Sequence, residues 1–316
     1  MANRVLIIDD VFESLVVGLK KHNYDVFYEK DILAEDVLSR ALALNVEGII
    51  VRSKMFFSRE FLQDCKPLKW IARAGVGTDN IDITIADKLG IKVINADGAN
   101  ALTVAEHVLG MILGFLHKLP SADSNVRAGL WNREAHRGRE LSSLQVGIVG
   151  YGHTGSALAQ LLSGFHGKVL AYDKYKKGFS TEYVEEVDNL DEICKRCDLI
   201  SYHVPLTPET QGMIRAHYFE NIQRKPLIVN ASRGSVLDVT SIVDLLKNGG
   251  LSGLILDVWP DEPPLKNGSL FRQEFDWLKA QNCVMFSPHV AGWSVESYQR
   301  ISDKLLDNVL KFKGCA

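Results

Sequence analysis

Short β-type runs alternating with helical patterns along most of the chain predict an α/β protein, built as two doubly wound parallel-sheet domains. Two stretches carry this reading. Residues 4–95 repeat strand and helix, with apolar strands at 5–8, 25–28, 48–51, 70–74 and 92–95 and helical patterns at 13–22, 34–44, 58–65 and 83–89 between them. Residues 146–162, VGIVGYGHTGSALAQLL, form a strand broken by glycines and followed by a helix, and open a second series of βα units.

Composition bounds the rest. A chain of 316 residues suits two domains at the usual ~150 residues each. Its 46% apolar and 24% charged residues are those of an ordinary globular protein. A net charge of −3 argues against a nucleic-acid or polyanion binder. The N-terminus runs straight into a strand pattern, so no signal peptide is expected. The most apolar long segment, 102–119, holds Glu106, His107, His117 and Lys118 and reads as a buried helix, not a membrane span. The five cysteines (65, 194, 197, 283, 315) are scattered, and the C-x-x-C at 194–197 has no second ligand pair to complete a zinc site. They read as structural thiols in a reducing cytoplasm, and no metal is expected.

The elements follow in order. After the first βα series, 103–118 is a long helix running towards the second series, followed by a polar excursion at 120–143 with Arg127, Arg133, Arg137 and Arg139 around Trp131. Its length and its Trp suit docking on a second subunit. The second series continues with strands at 168–173, 199–203, 227–230, 253–258 and 284–286, with a helix at 241–248 stopped by two glycines. A last helix, 295–311, must leave this domain and pack on residues 1–95. The expected boundaries are therefore 1–99, completed by 293–316, for one domain and 100–292 for the other.

In 146–162 the spacing G-x-G-x-x-G between strand and helix gives each glycine a task. Gly150 permits the tight turn, Gly152 lets a pyrophosphate approach the backbone, and Gly155 lets the helix lie close to the sheet. Free N–H groups and the helix dipole then face an anion. Asp173 ends the next strand, 23 residues after Gly150, where an acid takes the ribose hydroxyls of NAD and repels the 2′-phosphate of NADP. Lys174, Lys176 and Lys177 leave some ambiguity, and NAD is the expected cofactor.

Ligands of such sheets bind beyond the carboxyl ends of the strands. In the first domain two strand ends stand out: Arg52-Ser53-Lys54, and Arg73-Ala74-Gly75-Val76-Gly77, whose glycines free consecutive N–H groups for an anionic oxygen. In the second, Arg233, Glu262 and His289 each follow a strand of one sheet. Reduction of a 2-keto acid needs a cation to hold the carboxylate and polarise the carbonyl. It needs a group titrating near neutrality to move the hydroxyl proton, and a carboxylate to orient that group. Arg, His and Glu answer these needs in turn.

In the motifs that carry these residues the sequence resembles the D-2-hydroxyacid dehydrogenase family, and within it the phosphoglycerate dehydrogenase branch. The motifs are ARAGVGTDNID (72–82), AEH (105–107), GIVGYGHTG (147–155), HVPLTPET (203–210), NASRGSVLD (230–238), LDVWPDEP (256–263) and SPHVAG (287–292). The resemblance implies a Rossmann-type NAD domain plus a flavodoxin-like substrate domain, with a cleft between them that closes to exclude water. It implies a catalytic set of Arg233, Glu262 and His289. Cofactor contacts are implied at Val76, Gly150, Gly152, His153, Thr154, Gly155, Asp173, His203, Val204, Pro205, Ala231, Ser232, Asp257 and Gly292, with Asp257 near the nicotinamide amide. Substrate carboxylate or phosphate contacts are implied at Arg52, Arg73, Ala74 and Gly75, and a homodimer through arms near residues 100–145.

Two positions depart from relatives: His153-Thr154 stands where Arg-Ile is frequent, and Trp293 where a small residue is frequent. The expected activity is NAD-dependent oxidation of D-3-phosphoglycerate, as in serine biosynthesis. The alternatives are reduction of glyoxylate, hydroxypyruvate or another small 2-keto acid and, distantly, an NAD-sensing corepressor-like binding protein.

Overall fold

The computed structural model describes residues 3–165, 167–220, 222–266 and 268–314; Cys315 lies outside them. The chain divides into two compact units, 1–100 with 293–316, and 101–292.

The first unit opens with β1 (Asn3–Ile7), α1 (Glu13–Lys21), β2 (Tyr24–Tyr28), α2 (Val37–Leu44) and β3 (Gly48–Val51). It continues with α3 (Arg59–Asp64), β4 (Trp70–Arg73), α4 (Ile83–Lys88) and β5 (Lys92–Asn95). All five strands are parallel, in the order β2-β1-β3-β4-β5, the flavodoxin-like arrangement. Because successive side chains on a strand point to opposite faces, each strand feeds two cores. Leu6, Ile8, Ile49 and Val51 pack with α2, α3 and α4 through Ala41, Phe61, Leu62 and Ile85. Val5, Ile7 and Ile50 pack with Leu15 and Leu19 of α1 on the other face. Ser58 and Asp82 cap α3 and α4 by accepting backbone N–H bonds.

The second unit starts with α5 (Ala101–Leu116), α6 (Leu119–Arg127), β6 (Val146–Val149), α7 (His153–Leu162), β7 (Val169–Tyr172) and β8 (Val184–Glu186). It continues with α8 (Leu190–Arg196), β9 (Leu199–Tyr202), β10 (Leu227–Asn230), α9 (Val239–Lys247), β11 (Gly253–Leu256), α10 (Arg272–Leu278) and β12 (Val284–Phe286). Its seven parallel strands run β12-β11-β10-β9-β6-β7-β8, so the order reverses at β6, between β7 and β9. α5 and α7 cover one face, with Val108, Ile112 and Leu158 on Ile148 and Val229. α8, α9 and α10 cover the other, with Ile193, Ile242 and Leu278 in one core with Ile200, Ile228 and Leu254.

The final helix, α11 (Val295–Phe312), belongs to the first unit and adds Ile301, Leu305 and Val309 to the α1 face of its sheet. The pattern at 34–44 breaks at Val37, its first residues (Ala34–Asp36) forming a 3-10 turn. The first third of the polar excursion is helical as α6, entered through Lys118 in the left-handed conformation. No single described helix is long and apolar enough to cross a membrane; α5 and α6 pass that length together only across a 61° bend.

Candidate active site

The glycine turn is built by close backbone approach. At Gly150, with φ +92°, an added Cβ would stand 2.5 Å from the His203 carbonyl oxygen. At Gly155 it would stand 2.0 Å from the Gly150 oxygen, so α7 rests directly on the turn. At Gly152 it would meet nothing within 4 Å: this side of the turn is open, as a pyrophosphate needs. Gly152 is also the α7 N-cap and brings no side-chain acceptor, leaving the positive end of the helix to a ligand.

Asp173 stands directly after β7, its carboxylate accepting the N–H groups of Tyr151 (2.8 Å), Tyr175 (2.9 Å) and Lys176 (2.8 Å). Burial pushes its carboxyl up, but these three donors outweigh it and hold it below the usual range. The acid thus ties β7 to the glycine turn and stays anionic beside it. Of the neighbouring lysines, Lys174 pairs with Glu209 and Lys177 lies 3.9 Å from Glu186, while Lys176 stacks over Tyr151. The ensemble of open turn, uncapped helix end and ionised acid fits a dinucleotide. His203, buried and facing Ser201 at 2.9 Å, is pushed down to about 4 by burial and is neutral. Its backbone, with the Val204 side chain, forms the wall against Gly150.

Arg233, Glu262 and His289 lie beyond the carboxyl ends of β10, β11 and β12. The Arg233 loop is braced by Asn230, whose side chain accepts from Ser232 and donates to the Arg233 carbonyl at 3.0 Å. Gly234 is obligatory there, since a Cβ would come within 2.0 Å of the Trp259 carbonyl carbon. Glu262 Oε1 accepts from the Trp259 N–H at 2.8 Å and Oε2 from His289 Nδ1 at 2.7 Å. That contact is the leading reason the imidazole is held above its ordinary value; burial and the Arg233 charge oppose it. Burial raises the Glu262 carboxyl, but the His289 and Trp259 bonds overcome it and hold it low.

His289 has φ 55°, and Asp257 explains how that is held. The Asp257 carbonyl accepts the His289 N–H at 2.7 Å, and its carboxylate accepts the N–H groups of Val290 and Ala291, each at 2.9 Å, and the Ser287 hydroxyl. Ser287 Oγ lies 3.0 Å from His107 Nε2. Asp257 is only 2% exposed, and its carboxylate serves the His289 loop.

In the first unit, Asp9 at the end of β1 accepts the N–H groups of Arg52 (2.7 Å), Ser53 (2.9 Å) and Lys54 (3.0 Å). The Lys54 ammonium is held by the carbonyls of Lys30 and Ile32. The Ala74 and Gly75 N–H groups are spent on the carbonyls of Val51 and Arg73, while those of Val76 and Gly77 have no partner among the described residues. An added Cβ at Gly75 would meet the Arg73 guanidinium, and Arg73 Nε donates to the Arg52 carbonyl at 3.1 Å. Val76 is fixed through its carbonyl by Asn95 at 2.6 Å.

Residues 109–291 match the family model described as D-isomer specific 2-hydroxyacid dehydrogenase, NAD binding domain. The chain belongs to this family. The chain is 32% identical over 97% of its length to a D-3-phosphoglycerate dehydrogenase of Archaeoglobus fulgidus, and spans 56% of that relative. It is 30% identical to a hydroxypyruvate reductase of Thermotoga maritima, over 99% of this chain and 100% of that protein. A D-lactate dehydrogenase from Aquifex aeolicus, solved with NAD and lactic acid, superposes with a TM-score of 0.83 at 26% identity, covering 99% of this chain and 96% of that one.

Sequence reasoning passed over Asp9, Asn230, His107 and Ser287. For Asp9 a signal was available: an acid ending a central strand, as Asp173 does. Asn230 acts on residues two and three positions on, within its own loop, whereas His107 and Ser287 act through contacts that only packing creates.

Proposed function

We propose that this member of the D-2-hydroxyacid dehydrogenase family is an NAD-dependent oxidoreductase that interconverts D-3-phosphoglycerate and 3-phosphohydroxypyruvate. The observation that carries the reaction class is the 2.7 Å contact between His289 Nδ1 and Glu262 beside Arg233. With Nδ1 on the carboxylate, Nε2 is the nitrogen free to exchange a proton. In reduction, Arg233 binds the 2-keto carboxylate and polarises the carbonyl, and His289 Nε2 donates the proton that completes the hydroxyl. In oxidation the same nitrogen accepts it. Glu262 holds the ring and stabilises its cationic form. Gly150–Gly155 and Asp173 would hold NAD, which when bound would supply or take the hydride at substrate C2. The pairing of Lys174 with Glu209 supports NAD over NADP.

Arg52 and Arg73 supply cationic groups beyond what one carboxylate requires, which supports a phosphorylated substrate. A second reading is reduction of hydroxypyruvate or glyoxylate. It is favoured by Asp9, which takes the three backbone donors at 52–54 and leaves only side chains of that loop for a phosphate. We also infer a homodimer through the α6 arm, where Leu119, Val126, Leu130 and Trp131 are all more than half exposed. A reducing, cytoplasmic setting is supported by the buried free thiols Cys65, Cys194 and Cys197.

The test is a panel read by NADH absorbance: 3-phosphoglycerate for oxidation, and phosphohydroxypyruvate, hydroxypyruvate, glyoxylate and pyruvate for reduction. A higher kcat/KM for the phosphorylated pair is the expected result. Turnover of unphosphorylated acids alone would transfer the protein to the second reading. NADH binding without any turnover would sink both.

A further inference from the structure

Outside the catalytic set, the carboxyl end of the first unit's sheet carries an acid–aromatic cluster that neither reading uses. The Arg52 guanidinium carbon sits 4.4 Å from the centroid of the Trp293 ring. Trp293 packs on Tyr298 of α11 at 5.5 Å between ring centroids. The Tyr298 hydroxyl donates to Asp10 at 2.6 Å, the Tyr28 hydroxyl donates to the other oxygen at 3.2 Å, and Phe12 meets Tyr298 edge-on. The Tyr298 bond is the leading reason the Asp10 carboxyl is held low, with the Arg52 and Lys30 charges adding to it. Asp10 is therefore ionised, and both tyrosines draw on its oxygens.

Arg52 is held by its surroundings without being consumed by them. Its backbone is fastened by Asp9 through its N–H and by Arg73 through its carbonyl. One face of its guanidinium lies on an indole. Its side-chain N–H groups, however, have no hydrogen-bond partner among the described residues, in contrast to Arg40, which is forked onto Glu29. A half-buried guanidinium with a stacked face and unspent edges is a receptor for a forked oxyanion.

We propose that Trp293, Tyr298 and Asp10 are positioning residues that hold Arg52 in one orientation, ready for a second anionic group on the substrate. This rests on the reading that Arg52 belongs to the substrate site. Trp293 stacks on the guanidinium face, Tyr298 backs the indole, and Asp10 balances the cation's charge without occupying its donors. Trp293 then acts on substrate choice by fixing a cation, a role that bulk alone would not fill. The class selected is a 2-keto or 2-hydroxy acid with a distal phosphate or carboxylate.

The test compares KM for phosphohydroxypyruvate with KM for hydroxypyruvate in the full chain, for wild type, R52A, W293A, W293L, W293F, Y298F and D10N. Expected for W293A and W293L is a rise of about 3- to 30-fold in the ratio of the phosphorylated to the unphosphorylated KM, the range of a stacked cation. W293F, which keeps a π face, should recover most of it, and Y298F and D10N should shift the ratio in the same direction by less. R52A should shift it furthest. An R52A ratio equal to wild type would overturn the reading of Arg52 itself. A shifted R52A with wild-type ratios in W293A and W293L would overturn the positioning role alone. Equal losses on both substrates, or W293L behaving as W293F, would reduce Trp293 to packing. If turnover is absent, calorimetric titration of phosphohydroxypyruvate into the NADH complex of the same variants reads the same comparison, and absence of binding overturns the substrate class.

Discussion

At the residue scale the decisive object is the pair Glu262–His289, because its two members move each other in opposite directions. His289 is held above its ordinary 6.5 and Glu262 below its ordinary 4.5. The raised histidine adds stability that is complete below 6.5 and lost as pH rises through its folded value; the lowered glutamate adds stability that is complete above 4.5 and lost as pH falls through its folded value. The Tm difference between wild type and E262Q should therefore be largest between these values and shrink on either side. The same substitution frees His289 to titrate lower, so the alkaline limb of reduction, which needs the protonated ring, should move to lower pH. A pH–rate profile of kcat/KM checks this, and a limb that stays in place refutes the pairing. Replacing His289 by Asn should lower kcat by about 10²- to 10⁴-fold with the fold intact.

At the element scale, the loops after the strands are set by carboxylates that gather backbone N–H groups. Asp173 gathers three around the glycine turn, Asp9 gathers three after β3, and Asp257 gathers two while its carbonyl takes a third. Each converts a flexible connection into a fixed strand end. Removing Asp9 as D9A strips one charged acceptor from three donors and should cost about 2–3 kcal/mol in urea unfolding. It should also raise KM for phosphohydroxypyruvate, because the Arg52 backbone loses its anchor. In the glycine turn, G155A puts a methyl group into the Gly150 carbonyl. α7 must lift, and NADH affinity measured by fluorescence should fall more than about tenfold, a change in binding free energy above ~1.4 kcal/mol.

At the scale of the whole molecule, one unit is closed by residues from both ends of the chain. Leu305 of α11 is 0% exposed and shares a core with Leu15 and Leu19 of α1. L305A should destabilise the protein by about 2–5 kcal/mol in denaturant titration. The α6 arm leaves Trp131 78% exposed beside Leu130. If the arm joins two copies, W131D together with L130D should turn a dimer into a monomer in sedimentation velocity, and a monomeric wild type would dismiss the dimer.

Much of this was legible in the residues. Strand periodicity, the glycine spacing at 150–155 and the acid at 173 are local, so the two parallel sheets and the dinucleotide turn could be read from neighbours in sequence. Short or irregular elements were less so: β8 has only three residues, and α10 follows a stretch rich in proline. The sequence by itself also placed an Arg, a Glu and a His, the set proposed for the chemistry, after three strands of one sheet. Tertiary structure alone decided which groups meet. It brought Glu262 against His289, committed Asp257 to the His289 loop and Asp9 to the Arg52 loop, and laid Trp293 on Arg52. Those contacts join residues from 27 to 241 positions apart. Pattern and propensity act over a few residues, whereas which donor meets which acceptor is settled only when the sheets have formed and their strand ends lie side by side.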